Sequence, residues 1–221
     1  MTKDFYDSRR AAAYVAHHEK SSRTRTTTLR ERALLRKCLL LNRQTGENTG
    51  ESVVDVACGA GRFWPTLAQF SREIVALDLS PALLRASTGP EAIACHRVCG
   101  STFALPFADN VFDTLVCLRF MHHLGRAADR IAVLQEFHRV SRQRAIVSLW
   151  TDGSFAASRR LKRQRESPPP PAGFDKRRCT PRSELLADFH AAGWRVEARY
   201  AVWPGLSMWH FFSLKKVAGD V

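Results

Sequence analysis

The sequence has no apolar run of the length that a membrane span requires. About 18 uninterrupted apolar residues are needed for a span, and polar or charged residues interrupt every such window of the 221-residue chain. The N-terminal stretch MTKDFYDSRRAAAYVAHHEK is charged and lacks the apolar segment of a secretory signal. We therefore expect a soluble, cytoplasmic protein with no membrane span.

Cysteine is sparse and scattered, and no internal repeat is present. The six cysteines show no repeated C-x-x-C spacing. Cys95, His96 and Cys99 lie close together, but they do not complete the four-ligand pattern of a structural zinc site. We expect no metal site, and we expect the thiols to be small buried side chains in a reducing compartment.

Positive charge is in excess, but it is unevenly distributed. The chain has a net charge of +13, of which residues 1–50 carry +6, residues 51–150 carry +1 and residues 151–221 carry +6. Basic flanks of this kind attract the phosphates of nucleic acids, nucleotides or lipid headgroups. A solubilising arginine-rich surface explains the same excess, so the charge leaves both interpretations open.

Apolar patterning alternates between strands and helices. Two leading helices are predicted at 9–20 and 28–41, strands at 52–55, 74–77, 93–98, 111–118 and 145–150, a helix near 63–70 and a long amphipathic helix at 127–140. Such alternation predicts one α/β domain with a mainly parallel sheet and right-handed crossovers. Ligands of these sheets bind at the carboxyl ends of the strands.

The chain changes character after Trp150. Residues 154–182 contain a basic helical patch, a run of four prolines and a second basic cluster. This segment is either a linker or a mobile lid that contributes to substrate choice. A further helix should begin at Thr180-Pro181 and end near Gly193, and two closing strands should be joined near Pro204-Gly205.

A glycine-rich turn follows the first strand, in the stretch DVACGAGRF. Glycines at such a turn allow a ligand to approach the backbone closely. The dinucleotide-binding fingerprint G-x-G-x-x-G requires a third glycine, and Trp64 occupies that place after Gly59 and Gly61. An indole prevents the close packing that the third glycine permits, which argues against a site for NAD or FAD.

Three stretches together resemble the class I S-adenosylmethionine (SAM)-dependent methyltransferases of the type 11 group. They are VVDVACGAGR, IVALDLS and GSTFALPFADNVFDTLVCLRFMHHL, and the resemblance covers residues 53–150. It implies a Rossmann-like α/β fold with a mainly parallel seven-stranded sheet, helices on both faces and an antiparallel last strand. It also implies SAM as the cofactor.

The predicted organisation follows from this resemblance and from the composition of the flanks. Residues 1–45 form an N-terminal helical cap, and residues 46–150 form the SAM-binding core. Residues 151–182 form the basic, proline-rich insert or lid. Residues 183–221 supply the C-terminal helix and the closing strands of the same domain.

The resemblance assigns the polar end of the cofactor to the first two strand ends. Asp55, with the backbone of Ala57, Gly59 and Gly61, would hold the amino-acid end of SAM, the Asp55 carboxylate facing the ammonium group directly or through water. Asp78 would accept hydrogen bonds from both ribose hydroxyls. Helix capping is an alternative role for the two aspartates, because Asp is favoured near helix N-termini.

The resemblance assigns the adenine to residues after the second and third strands. Leu79 would pack on the ring, Ser101 and Thr102 would contact its edge, and Leu118 is also placed among the cofactor-binding residues. Ser101 departs from the family, which usually has Asp there, so adenine recognition should be retained but weaker. The family often has a Pro-Gly-Gly turn before the fifth strand, where this chain has residues 141–144 instead.

His122 and His123 are the candidate general bases near the end of the fourth strand. Purely structural roles are the alternative for both, and turn chemistry explains Asp113 as well as function does. A base is needed only for a protonated nucleophile, because the methyl group of a sulfonium is already activated and chiefly requires in-line alignment.

The resemblance leaves the methyl acceptor open. A small molecule, a phosphorylated glycan or lipid, and RNA all fit the basic flanks, and the oligomeric state is not predicted. A non-catalytic SAM-binding or interaction protein on the same fold is the alternative of a different class.

Overall fold

The computed structural model describes residues 9, 11–13, 16, 22–44, 52–71, 73–87, 94–167, 171–173 and 177–217. The described residues within the first predicted helix, 9–20, are helical. Of the run of four prolines, only Pro171 lies within the described residues.

Six α-helices and eight strands are defined in the described part of the chain. The helices are α1 (Ser22–Gln44), α2 (Trp64–Leu67), α3 (Pro81–Ala86), α4 (Ala127–Val140), α5 (Phe155–Arg165) and α6 (Arg182–Ala191), and a 3₁₀ helix spans Met121–His123. The strands are β1 (Ser52–Val56), β2 (Glu73–Asp78), β3 (Ala94–Cys99), β4 (Phe112–Cys117), β5 (Ser141–Thr151), β6 (Cys179–Thr180), β7 (Trp194–Ala201) and β8 (Trp209–Lys216).

The strands form one mixed sheet in the order β3-β2-β1-β4-β5-β8-β7. β1 is parallel to β2 and β4, and β2 is parallel to β3. β8 is antiparallel to both of its neighbours, β5 and β7. The predicted Rossmann-like fold with an antiparallel last strand is therefore confirmed. The sheet has one strand more than expected, because the two-residue β6 pairs with the end of β5.

By their contacts the residues divide into two compact units. The first unit comprises residues 1–106 and 112–116, and it contains β1, β2, β3 and most of β4. Val53, Val54 and Val56 of β1 are buried, as a parallel strand with both faces covered requires. The helix α1 contributes the buried side chains of Leu34, Leu35, Cys38 and Leu39.

The second unit comprises residues 107–111 and 117–221. Its helices α4 and α6 contact each other, and they are joined by a buried ion pair in which Arg130 Nε lies 2.6 Å from Asp188 Oδ2. Trp194 is fully buried, and its indole Nε1 donates to the carbonyl oxygen of Leu134 over 2.9 Å. Gly193 has a φ of +79° and precedes β7, as the predicted end of the last helix requires.

The long helix at 127–140 is confirmed, but the strand after it starts earlier than predicted. β5 begins at Ser141 and includes residues 142–144. Arg144 is fully buried and forms an ion pair with Glu197, and the Lys216 ammonium donates to the Ser141 carbonyl oxygen over 3.1 Å. The sequence pattern did not predict this part of the strand, because the partners of its charged residues lie far along the chain.

The cysteine prediction holds for four of the six residues. All six thiols are free; Cys38, Cys58, Cys117 and Cys179 are buried, Cys95 is half-buried and Cys99 is exposed. No described helix combines the length and the apolar content that a membrane crossing needs.

Candidate functional site

The first unit brings together Asp55 and Asp78 at the carboxyl ends of the adjacent parallel strands β1 and β2. Asp78 Oδ2 accepts a hydrogen bond from the backbone N–H of Gly59 over 2.8 Å, and its Oδ1 accepts from the N–H of Ser80 over 2.9 Å. The side chain of Asp78 thereby fastens the turn after β1 to the end of β2. We call Asp55, Asp78 and the turn at residues 57–61 the carboxylate cradle.

Asp55 is almost completely buried, with 2% of its surface exposed. Its Oδ2 accepts a hydrogen bond from the indole Nε1 of Trp64 over 3.0 Å. Burial raises the pKa of Asp55 to about 7, the Trp64 hydrogen bond opposes this shift, and the nearby Asp78 adds to it. A cation beside this carboxyl would remove the cost of its buried charge.

The turn after β1 has a left-handed backbone at three residues. The φ angles are +56° at Ala57, +58° at Gly59 and +78° at Gly61. A Cβ added to Gly61 would lie 2.6 Å from Cδ2 and Cε3 of the Trp64 ring. Gly61 is therefore required twice, once by its φ angle and once by the buried indole beside it.

The helix α1, which belongs to the same unit, supports this turn through polar contacts. Glu31 is fully buried, and its Oε2 lies 3.0 Å from Arg62 Nη2. Arg32 Nη2 donates to the carbonyl oxygen of Arg62 over 2.8 Å. Two residues of one helical turn thus hold the residue that follows Gly61, which makes α1 part of the support of the cradle.

Leu79, Ser101 and Thr102, which were predicted to contact adenine, also lie in the first unit. Leu79 leaves 37% of its surface exposed directly after β2, which is unusual for leucine in a folded core. Ser101 is half-buried, and its Oγ accepts from the N–H of Phe103 over 3.2 Å, whereas Thr102 is buried. The N–H of Gly100 donates to the Asp78 carbonyl oxygen over 3.0 Å, which holds the start of this segment beside the end of β2.

The other three predicted site residues, Leu118, His122 and His123, belong to the second unit. Leu118 is buried. The 3₁₀ helix after β4 carries both histidines, and His122 is buried, with 3% of its surface exposed, whereas His123 is half-buried. The structure does not group these three residues in one unit with the carboxylate cradle.

His122 lies among aromatic rings and cations. Its ring centroid is 5.1 Å from that of Trp150 and 4.9 Å from that of Trp209. Burial lowers the pKa of His122 to about 2, with further lowering by His123 and by the guanidinium groups of nearby arginines. A group with this pKa is neutral at physiological pH and is a weak base, which does not favour His122 as a general base.

Asp113 has a structural role in the first unit. Its Oδ2 accepts hydrogen bonds from the backbone N–H of Ser52 over 3.1 Å and from the Ser52 hydroxyl over 2.8 Å. These bonds join the neighbouring strands β1 and β4. Within the described residues, no group of three or more His, Cys, Asp or Glu side chains is arranged to hold a metal ion.

The residues of this arrangement are similar to a known protein family. Residues 54–149 match the model of the family described as "Methyltransferase domain", type 11. The match covers less than half of the chain, so it is a likeness of these residues to that family. The matched residues include the whole carboxylate cradle, the strands β2, β3 and β4, and most of β5.

Curated relatives match this chain over part of their length. A malonyl-[acyl-carrier protein] O-methyltransferase of Pseudescherichia vulneris is 35% identical over 118 residues, which are 51% of this chain and 43% of the relative. A demethylmenaquinone methyltransferase of Mycobacterium marinum is 39% identical over 93 residues, which are 42% of this chain and 38% of the relative. The chain thus spans less than half the length of these relatives.

A solved structure shares the fold over most of both chains. Magnesium protoporphyrin IX methyltransferase from Synechocystis PCC 6803, with S-adenosylhomocysteine (SAH) bound, superposes with a TM-score of 0.68, covering 90% of this chain and 89% of that chain. The same protein with SAM bound gives a TM-score of 0.66. The sequence identities are 13% and 11%, so this likeness shows the fold alone.

Sequence reasoning missed the role of Trp64 beside the carboxylate cradle. It identified Trp64 as an obstacle to dinucleotide binding, whereas the structure shows it as the hydrogen-bond donor to Asp55. A usable signal was present, because a buried indole N–H needs an acceptor and Asp55 lies just upstream. Residues 154–182 were recognised as basic, but no pattern in the sequence indicated that Arg160 and Arg177 of this segment lie beside Trp150.

Proposed function

We propose that this chain is a SAM-dependent methyltransferase that binds its cofactor on the carboxylate cradle. One observation supports the proposal most directly. Two carboxylates lie at the ends of adjacent parallel strands, and the left-handed turn between them has no side chains at Gly59 and Gly61. The family match over residues 54–149 supports this assignment.

Asp55 fits the ammonium group of SAM. It is a buried carboxyl whose pKa is raised to about 7 chiefly by burial, and a bound cation would stabilise its ionised form. Trp64 Nε1 fixes one carboxylate oxygen, so the orientation of the group is set before the ligand arrives. The backbone at Ala57, Gly59 and Gly61 would contact the same end of the cofactor.

Asp78 and Leu79 fit the nucleoside part of SAM. A carboxylate can accept several hydrogen bonds, and Asp78 accepts from the N–H groups of Gly59 and Ser80. Its position at the end of β2 beside the glycine turn fits a role in accepting hydrogen bonds from the ribose hydroxyls. Leu79 exposes apolar surface for the adenine ring, and Ser101 and Thr102 would contact the ring edge.

When bound, SAM supplies a methyl group that its sulfonium already activates for transfer. The chain then has to orient the cofactor, position the acceptor and exclude water. Residues 151–182 would act as a lid in this last task. His123 is the better candidate base of the two histidines, because the low pKa of His122 leaves that ring weakly basic.

The acceptor is proposed as a small molecule, a phosphorylated glycan or lipid, or RNA. The two relatives are named for different methyl acceptors. Each shares less than half its length with this chain, so neither acceptor can be assigned to this chain. The basic excess of the flanks supports an anionic acceptor. A cytoplasmic location stays part of this proposal.

The test combines binding and transfer. Calorimetry should show SAM and SAH binding to the full chain, and incubation with radiolabelled SAM and separate RNA, lipid and metabolite fractions should place label in one of them. Tight SAM binding with label in none of the fractions would instead favour a non-catalytic SAM-binding protein. Absence of SAM and SAH binding would refute the cofactor assignment.

A further inference from the structure

Six residues of the second unit form what we call the ring–arginine cluster. The cluster consists of Arg119, His122, Trp150, Arg160, Arg177 and Trp209. The three ring centroids form a triangle with sides of 4.9, 5.1 and 5.6 Å. The guanidinium carbon of Arg119 lies 4.5 Å from the centroid of the Trp209 ring, and that of Arg160 lies 4.7 Å from the Trp150 ring.

Four nitrogens in this cluster are buried and have no hydrogen-bond partner among the residues that the structure describes. They are His122 Nδ1, Trp150 Nε1, Trp209 Nε1 and Arg160 Nε. Three of these nitrogens are donors only, because indole and guanidinium groups have no acceptor atom. A buried donor without an acceptor is costly, and three such donors on contacting side chains indicate a ligand that accepts hydrogen bonds.

The charge of the cluster has the matching sign. Burial is the largest cause that lowers the pKa of His122 and that of Arg160. Nearby cations lower both further: His123, Arg177, Arg119 and Arg160 act on His122, and Arg163, Arg177 and Arg178 act on Arg160. Arginine groups brought this close repel one another in a partly desolvated environment. An anion on the cluster would offset this repulsion and accept from the orphaned N–H groups.

We propose that the ring–arginine cluster binds a dianionic phosphate monoester carried by the methyl acceptor. This inference rests on the proposed function, since it names the chemistry of the acceptor for the same enzyme. Three guanidinium groups suit a dianion better than a carboxylate with one charge, and phosphate oxygens accept several hydrogen bonds at once. The phosphate positions the acceptor, and it does not take part in methyl transfer.

A compact monoester fits the cluster better than an RNA backbone. The orphaned nitrogens are buried, and His122 is 97% covered by protein, whereas RNA phosphodiesters carry one charge each and are contacted along open surfaces. RNA binding through these residues is therefore an alternative outcome of the test.

The test uses the full chain and three probes: glycerol phosphate as a monoester, dimethyl phosphate as a diester and acetate as a carboxylate. Calorimetry should show glycerol phosphate binding at least about tenfold more tightly than either other probe, because the dianion pairs with more of the guanidinium groups. Equal affinities for the three probes, or a preference for the diester, would overturn the proposal.

Two arginines on one helix supply a matched pair of variants. Arg160→Gln should weaken glycerol phosphate binding about tenfold or more, because it removes a charged hydrogen-bond donor of the cluster. Arg159→Gln removes the same charge from an exposed side chain of α5 and should change the affinity less than about threefold, since solvent and salt screen it. Equal losses in both variants would mean that only the general charge of the helix matters, which would contradict the proposal.

Two further variants guard against misfolding and test the orphaned donors. Arg177→Gln changes an exposed side chain. It should weaken glycerol phosphate binding, and the variant should still fold. Trp150→Phe keeps an aromatic ring but removes the indole N–H. It should lower the affinity for glycerol phosphate by about threefold to tenfold. Unchanged affinity in both variants would refute the site.

SAM binding distinguishes failure of this inference from failure of the proposed function. All four variants should bind SAM as the unmodified chain does. If SAM binds but glycerol phosphate does not, the phosphate site is wrong and the cofactor assignment stands. If SAM does not bind the unmodified chain, the proposed function fails, whichever probe binds the cluster.

Discussion

In each of the two units burial shifts the pKa of an ionisable side chain at a candidate site, and the two shifts have opposite directions. In the first unit, burial raises the pKa of the Asp55 carboxyl to about 7. In the second unit, burial and nearby cations lower the pKa of the His122 imidazole to about 2. Each group is thereby pushed toward its neutral form.

The difference between them indicates what each unit lacks. Asp55 has an indole donor and a second carboxylate nearby, so a cation would complete its surroundings. His122 lies beside three arginines and two indoles, so an anion would complete the cluster around it. The proposed binding of the cofactor in the first unit and of the acceptor in the second would supply the missing cation and the missing anion, and this proposal can be tested.

The largest expected effect comes from the backbone of the carboxylate cradle. Gly61→Ala should lower the free energy of unfolding by about 3 kcal/mol, because a positive φ costs about 1–2 kcal/mol and overpacking costs a similar amount. The new Cβ would meet the buried Trp64 ring. Chemical denaturation measures the loss.

Gly205→Ala is the matched control in the second unit. Gly205 has a φ of +72°, and nothing lies within 4 Å of an added Cβ. This variant should lose only the strain of the backbone, about 1–2 kcal/mol. Equal losses in the two variants would show that the packing of Trp64 against the turn contributes nothing.

The second effect concerns the cofactor itself. Asp78→Ala should weaken SAM binding about a hundredfold, because charged hydrogen bonds contribute roughly 1.5–3 kcal/mol each. It also removes the acceptor for the N–H groups of Gly59 and Ser80. Calorimetry measures the affinity, and Glu73→Ala is the control, since Glu73 is exposed at the other end of the same strand. Similar affinities for Asp78→Ala and the unmodified chain would remove the cradle as the cofactor site.

The sequence was sufficient to predict the first unit because its signals are local. The strand, the glycine turn, the second strand and its aspartate lie within residues 52–78, and their order determines that Asp55 and Asp78 end neighbouring strands. Burial of Asp55 against Trp64 was not predicted, since it depends on how the chain turns back at Gly61. The roles of the individual residues toward SAM stay predictions.

The second unit was less predictable because its features join distant segments. The strand β6 has two residues, which is too short for a pattern, and it exists through pairing with Trp150 and Thr151. The ring–arginine cluster draws residues from the 3₁₀ region, β5, α5, the start of β8 and the segment before β6. Trp150 and Trp209 are partners in the antiparallel register of β5 and β8, which no spacing in the sequence reveals.

The third effect is a pH dependence of SAM binding through Asp55. The bound ammonium group requires the ionised carboxylate, and this carboxyl is protonated below its pKa of about 7 in the free protein. SAM affinity should therefore fall by up to about tenfold for each pH unit below 7 and level off only about one pH unit above it. Calorimetry between pH 5.5 and 8, in buffers chosen to report proton release, measures the SAM affinity and the number of protons released on binding.

Asp55→Asn provides the control for this dependence. The amide oxygen can still accept from Trp64 Nε1, but it does not titrate, so the affinity should be low and independent of pH. The pKa of Asp55 is about 7 in the fold, against an ordinary value of 3.8, so the stability of the fold falls as the pH rises from about 4 to 7. The variant, which does not titrate, should therefore be more stable at pH 8 by roughly 4 kcal/mol. A variant with unchanged stability would show that burial of the charge is not costly.

The smallest expected effect separates the two units. His122→Asn should leave the SAM affinity and its pH dependence within about twofold of the unmodified chain, because a group with a pKa of about 2 remains neutral throughout that pH range. If His123 is the base, His123→Asn should lower turnover by about a hundredfold or more with SAM affinity intact. A loss of SAM affinity in His122→Asn comparable to that in Asp78→Ala would show that cofactor recognition extends into the second unit, and the division between a cation site and an anion site would not hold.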